Sequence, residues 1–279
     1  MKKSVLILLS VLLLAGSFGC SKEFRDMNRA VRKGTLVEKD SAAFYFYRRG
    51  DYEKASTLFD ELVRVYRGQE RAKDILYAYA YARHEARDYL TATQHFESFQ
   101  RLYPTDKRAE ECMFMVAYGY YLQSSPAYLD QSSTLKAINQ FQFFVNTYPY
   151  SRRAEDANTY IVELRERVAQ KEFETAELYF NIENYRAAAT SFRTFLQEFP
   201  DSKYREQAQF MVFKSSYYLA SVSIVSKQKN RYLDAIDFYQ VFEEKFPTSA
   251  YLKEAKDLRE KALKAVEKIN KEDKDATAS

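Results

Sequence analysis

One pattern returns five times along this chain, and it constrains the fold more than any other feature. Four of the five prolines follow an aromatic residue, at Tyr103-Pro104, Tyr148-Pro149, Phe199-Pro200 and Phe246-Pro247. Twelve residues before each proline stands an alanine: Ala92, Ala137, Ala188 or Ala235. Eight before stand Phe96, Phe141, Phe192 and Tyr239, and five before stand Phe99, Phe144, Phe195 and Phe242. Fifteen before stand Tyr89, Thr134, Tyr185 and Tyr232. An earlier copy holds Tyr52, Ala55, Phe59, Leu62 and Tyr66, with Arg67 in the proline position. Alanine followed by large apolar residues at +4, +7 and +11 forms one stripe on an α-helix. Proline lacks an N–H and disfavours helix in the residue before it, so it closes that helix. Turn signals precede the tyrosines at Arg49-Gly50-Asp51, Ala86-Arg87-Asp88, Glu183-Asn184 and Asn230-Arg231, with another helical stretch ahead of each. Each copy therefore reads as two antiparallel helices. One such pair cannot bury its aromatic face alone, so the copies must stack.

The residues suited to chemistry are few. Six glycines in 279 residues provide no phosphate-cradling loop before a Lys-Ser or Lys-Thr. His84 and His95 lack metal-ligand spacing. Acidic neighbours such as Asp60-Glu61, Glu110-Glu111 and Glu243-Glu244 diverge on a helix and read as solvated faces. The net charge of +4, with the signs interspersed, is no nucleic-acid footprint, which would need a strongly basic clustered surface. Cys112, beside Met113, Met115 and Val116, reads as a buried thiol. A non-catalytic chain without cofactor or metal is the expectation.

The start reads as an address. Lys2 and Lys3 precede an apolar run from Val5 to Ala15, followed by small residues and Cys20. The run is shorter than the roughly 20 residues that span a bilayer. It resembles a bacterial lipoprotein signal, in which Gly19 fits the cleavage pattern and Ser17 and Phe18 depart from it. The resemblance implies a signal peptide over residues 1–19, lipidation of Cys20, membrane attachment through that lipid, and a tether over residues 20–39.

The repeat resembles the tetratricopeptide family, which shares the Tyr, the Ala three later, the next aromatic and the Pro. A small residue twelve before the alanine also matches at Ala43, Ala80, Ala176 and Ser223. The expected fold is all-α: a right-handed superhelix of five tetratricopeptide-like helix pairs, with a long connecting helix in the middle and a C-terminal capping helix. Tyrosine spacings of 37, 45, 51 and 47 leave extra residues for longer first helices or for loops, as at Ser124-Ser125-Pro126 and Val225-Ser226-Lys227. The stretch from Arg152 to Ile182 holds no breaker and reads as the long helix. Repeats 1–3 occupy residues 40–150. The long helix, repeats 4–5 and a cap from Tyr251 to Ile269 occupy 151–270, before a frayed tail at 271–279.

First helices line the concave groove in tetratricopeptide stacks. Tyr45, Tyr47, Tyr77, Tyr81 and Tyr118 on those helices are candidate groove residues, since tyrosine offers a large apolar face with a polar tip. Arg83 is a candidate for a peptide carboxylate. Packing between repeats is the competing use of these rings.

The signal and cysteine, the five repeats, the aromatic-Pro-x-Ser joints and the connector together resemble the BamD family. Within it, Ala176-Glu177-Leu178-Tyr179-Phe180 and Tyr185-Arg186-Ala187-Ala188 look like the start of the fourth repeat. These are lipoproteins of the outer-membrane β-barrel assembly machinery. The resemblance implies an adaptor at the periplasmic face of the outer membrane. It would bind unfolded barrel precursors through residues 40–150 and dock the barrel-forming subunit, BamA-like, through residues 170–260. Other periplasmic tetratricopeptide adaptors, of envelope or cell-division coordination, share the joints but usually begin with a coiled coil. Residues 21–40 here carry no sustained heptads.

Overall fold

The computed structural model describes residues 22–278, with side chains through Asp273. The leader and Cys20 lie outside the described residues. Among those described, twelve α-helices and no strand occur. They are α1 (Lys22–Lys33), α2 (Leu36–Arg48), α3 (Tyr52–Val65), α4 (Ala72–Glu85), α5 (Tyr89–Leu102), α6 (Ala109–Leu122), α7 (Ser132–Thr147), α8 (Ala154–Asn181), α9 (Tyr185–Glu198), α10 (Arg205–Ser221), α11 (Val225–Lys245) and α12 (Leu252–Ala278). No described helix is long and apolar enough to cross a membrane. The described residues divide into two compact units: 22–124 with 136–160, and 125–135 with 161–278.

In the first unit each helix from α1 to α5 packs on the next, and α2 also meets α4. In the second, α9 to α12 pack in the same consecutive way, and α10 also meets α12. Contact between alternate helices is how helix pairs stack as repeats. The repeat positions supply the core. Ala55, Ala92, Ala137, Ala188 and Ala235 are at most 1% exposed, as are the apolar residues at +4 and +7 from each. The alanines leave room for a neighbouring helix while the rings fill the space beside it.

The turns follow from local chemistry. Asp51, Asp88 and Asn184 each accept a backbone N–H from the third residue onward, capping α3, α5 and α9. The residue before each cap is left-handed: Gly50 at φ 78°, Arg87 at 63° and Glu183 at 60°. After each proline a short side chain two residues on starts the next helix. Asp106, Ser151, Ser202 and Ser249 accept the N–H of Arg108, Arg153, Tyr204 and Tyr251 at 3.0–3.3 Å.

The residue four after the proline position covers a ring on the preceding first helix. In the first unit it is arginine: Arg71 over Phe44 at 4.7 Å, Arg108 over Tyr77 at 5.2 Å and Arg153 over Phe114 at 4.4 Å. Each also pairs with an acid on that earlier helix, Asp40, Asp74 or Glu111, at 2.7–2.9 Å. In the second unit it is tyrosine, with Tyr204 stacked on Phe173 at 4.8 Å and Tyr251 on Phe210 at 4.9 Å.

Four expectations change. Residues read as tether form α1, whose Phe24, Met27 and Val31 pack on the first core. Val225-Ser226-Lys227 and Asn230-Arg231, read as loop and turn, lie inside α11, and the break falls at residues 222–224. Lys227, Gln228, Lys229 and Arg231 are good helix formers, and the Gln228 amide donates to the carbonyls of Ser221 and Ser223. The last helix continues past Ile269 to Ala278. Thr134, where the other copies carry tyrosine, is buried and donates to Gln131 Oε1 at 2.8 Å. The Gln131 amide in turn donates to the carbonyls of Pro126 and Leu129, which holds the loop after α6 closed.

Candidate functional site

In the first unit the half-buried aromatic side chains of α4 and α6 gather with the start of α8. Tyr77 and Tyr81 lie one turn apart on α4, with ring centroids 4.9 Å apart. His84, one turn further, meets Tyr81 at 6.5 Å, Tyr89 at 5.5 Å and Tyr118 at 6.0 Å. Tyr118 stacks on Tyr121 at 5.7 Å, and Tyr160 closes on both at 5.6 and 4.6 Å. Between them lies a cleft of 310 Å³ lined by Tyr81, His84, Glu85, Glu111, Phe114, Met115, Tyr118, Arg153, Asp156 and Tyr160.

Hydrogen bonds fix the floor of this cleft. Tyr81 Oη donates to Glu111 Oε1 at 2.7 Å, and Arg153 grips both oxygens of the same carboxylate at 2.7 and 2.8 Å. A bidentate guanidinium is geometrically demanding, so the pair holds residue 153, just before α8, against α6 within the first unit. Burial, and then the bond to Glu111, push the Tyr81 phenol above its usual pKa, so it remains a neutral donor. Burial lowers the His84 pKa and keeps the imidazole neutral at pH 7. With Arg153 spent on Glu111, Glu85 and Asp156 are the exposed carboxylates of the lining. The cleft offers ring faces, a few polar tips and a net negative rim. Such a surface is suited to binding an extended chain.

The structure brings Tyr77, Tyr81 and Tyr118 to this face. Tyr47 lies beside it: burial raises its pKa, and the next contributions come from Glu85, Tyr52 and Tyr77. Tyr45 is 7% exposed and packs edge-on to Phe46 in the first core. Arg83 occupies another face of α4, where it donates to Tyr79 Oη at 3.3 Å and pairs with Asp88 at 3.6 Å. His84, Phe114, Arg153 and Tyr160 were not singled out from sequence. Arg153 carried a signal, since Arg71-Ala72, Arg108-Ala109 and Arg153-Ala154 stand four residues after the first three proline positions. Tyr160 carried none, because nothing local shows that one end of the long helix belongs to the first unit. Among the described residues no cluster of His, Cys, Asp or Glu could hold a metal ion.

Comparison with known proteins gives a family and a fold. The model of the family described as YfiO, outer membrane lipoprotein, matches residues 41–224. No curated protein matches the chain. Similar solved structures include the TPR domain of P58(IPK), at 12% identity and TM-score 0.40, covering 84% of this chain and 66% of that one. The TPR2AB domain of yeast Sti1, in a pHSP90 complex, has 14% identity and TM-score 0.38, covering 81% of this chain and 98% of that one. A computationally designed cyclic homo-oligomer has 14% identity and TM-score 0.20, covering 98% and 99%.

Proposed function

The chain belongs to the YfiO family, the BamD-type outer membrane lipoproteins, and from that membership we propose that it is a non-catalytic assembly adaptor for outer-membrane β-barrels. Cys20 carries the lipid, and the helical repeats face the periplasm. The first unit receives unfolded barrel precursors, and the second docks the barrel-forming, BamA-like subunit. Hand-over between them involves no covalent step. The observation that carries the substrate half of this reading is the cleft of Tyr81, His84, Tyr118 and Tyr160. Aromatic faces grip varied chain segments at low entropic cost, as a receiver of many precursors requires.

The test is a pull-down from detergent-solubilised envelope, using the chain tagged after Ser279. Stoichiometric recovery of the barrel-forming subunit supports the reading. Recovery of division or peptidoglycan proteins instead, or of the chain alone, overturns it. Replacing Tyr118→Ala together with Tyr160→Ala is expected to weaken precursor binding about tenfold, the scale of losing an aromatic anchor. Recovery of the barrel-forming subunit should not change.

A further inference from the structure

Helix α1 carries a face that neither the fold nor the adaptor role uses. Phe24, Met27, Ala30 and Val31 turn inward onto the first core. Lys22, Arg25, Arg29, Arg32 and Lys33 are all exposed, and their three- and four-residue spacing places them together on the opposite side. None of the five joins an ion pair with another described residue. The acids nearby are Glu23 and Asp26, which flank the stripe, and two that are already engaged. Glu38 takes both the N–H and the hydroxyl of Thr35 and also feels the Arg29 charge, without an ion pair between them, and Asp51 holds Lys54 at 2.7 Å. Against the stripe lies a hollow of 600 Å³ lined by Asn28, Arg29, Val31, Arg32, Lys33 and Lys54. Elsewhere in the chain the two signs of charge are interspersed.

Position along the chain identifies the occupant. Helix α1 begins at Lys22, two residues after Cys20, and two residues of chain reach about 7 Å at most. That is within roughly one Debye length, about 8 Å at physiological salt. We infer that the basic face of α1 lies on the leaflet that holds the lipid anchor and binds the phosphates of anionic headgroups there. The acyl chains hold the protein at the membrane. The cations orient it, setting α1 along the surface with the first unit behind it. Each cation facing an anionic surface contributes about fivefold to partitioning, so five together outweigh the two flanking acids. The inference takes its proximity argument from lipidation of Cys20.

The full chain, purified from envelope in detergent, is reconstituted in vesicles of phosphatidylcholine, with or without phosphatidylglycerol. Arginine modification by phenylglyoxal is then quantified by mass spectrometry, with exposed Arg193 on α9 as the internal reference. The expected result is several-fold slower modification of Arg25, Arg29 and Arg32 in the anionic vesicles, with Arg193 unchanged and the protection lost in about 0.5 M salt. Equal modification in both vesicles overturns the inference. Protection by inorganic phosphate in phosphatidylcholine vesicles also overturns it, since the site would then take a free anion. The same spectra read the mass of Cys20. Protection without an acyl group on Cys20 retires the anchor and leaves the basic surface standing, so the two failures are distinguishable.

Discussion

At the scale of single residues, steric and protonic constraints decide most outcomes. Gly119 on α6 faces Thr93 on α5 so closely that an added Cβ would collide with the threonine Oγ1. That hydroxyl is itself held, donating to the Tyr89 carbonyl at 2.7 Å. Gly119→Ala is therefore expected to cost about 1–3 kcal/mol, read as a lower denaturation midpoint at unchanged slope. His84 and His95 supply a pH dependence. Burial lowers both pKa values, and for His95 the Arg83 charge lowers it further. A lowered imidazole pKa means that the unfolded state takes up protons first. The stability these residues support is complete above about pH 6.5 and is lost as pH falls through the folded values. Replacing both by glutamine should flatten the fall in Tm between about pH 6.5 and pH 5. Much at this scale was legible in advance, because a residue such as Ala92 or Phe96 repeats at fixed offsets and each copy corroborates the others. Arg83 shows the limit. Its charge is obvious in sequence, yet the choice between the Tyr81 face and the Tyr79 face of α4 depends on how α5 packs.

At the scale of elements, the joints after the prolines do similar work with different chemistry. Arginine over a ring, tied to an acid, closes the joints of the first unit, and stacked tyrosine closes those of the second. Tyr204→Ala should cost about 2 kcal/mol, through the stack on Phe173 and the half-buried area it covers, measured by chemical denaturation. Helix boundaries were read well where a proline or an Asx cap marked them, as at Asp88 and Pro104. They were misread at Asn230-Arg231, where the aligned tyrosine suggested a turn but no glycine, proline or cap enforced one. Helix α1 escaped notice because its inward face is only Phe24, Met27, Ala30 and Val31, too short a stripe to outweigh its charges. The cleft was half legible. The tyrosines of α4 and α6 announced themselves, while Tyr160 joins through a contact distant in sequence.

At the scale of the whole molecule, the two units should answer differently to salt. The joints of the first unit rely on the ion pairs Arg71–Asp40, Arg108–Asp74 and Arg153–Glu111, all partly open to solvent. Screening in about 0.5 M salt should weaken such pairs by a few tenths of a kcal/mol each. Hydrogen exchange should then quicken around residues 71–74 and 108–111, with little change around residues 204–210. Cys112 provides an independent measure of the same opening. It is the one cysteine among the described residues, fully enclosed in the first unit, with its thiol pushed up to about 12 chiefly by burial. A thiol-specific dye can reach it only when the helices around it part. Labelling at Cys112, read by mass spectrometry of its peptide, should therefore run far slower than that of a free thiol and accelerate with salt. The first unit thus contains its own stopwatch: without any introduced residue, the rate at which Cys112 is labelled counts how often the helices around it part.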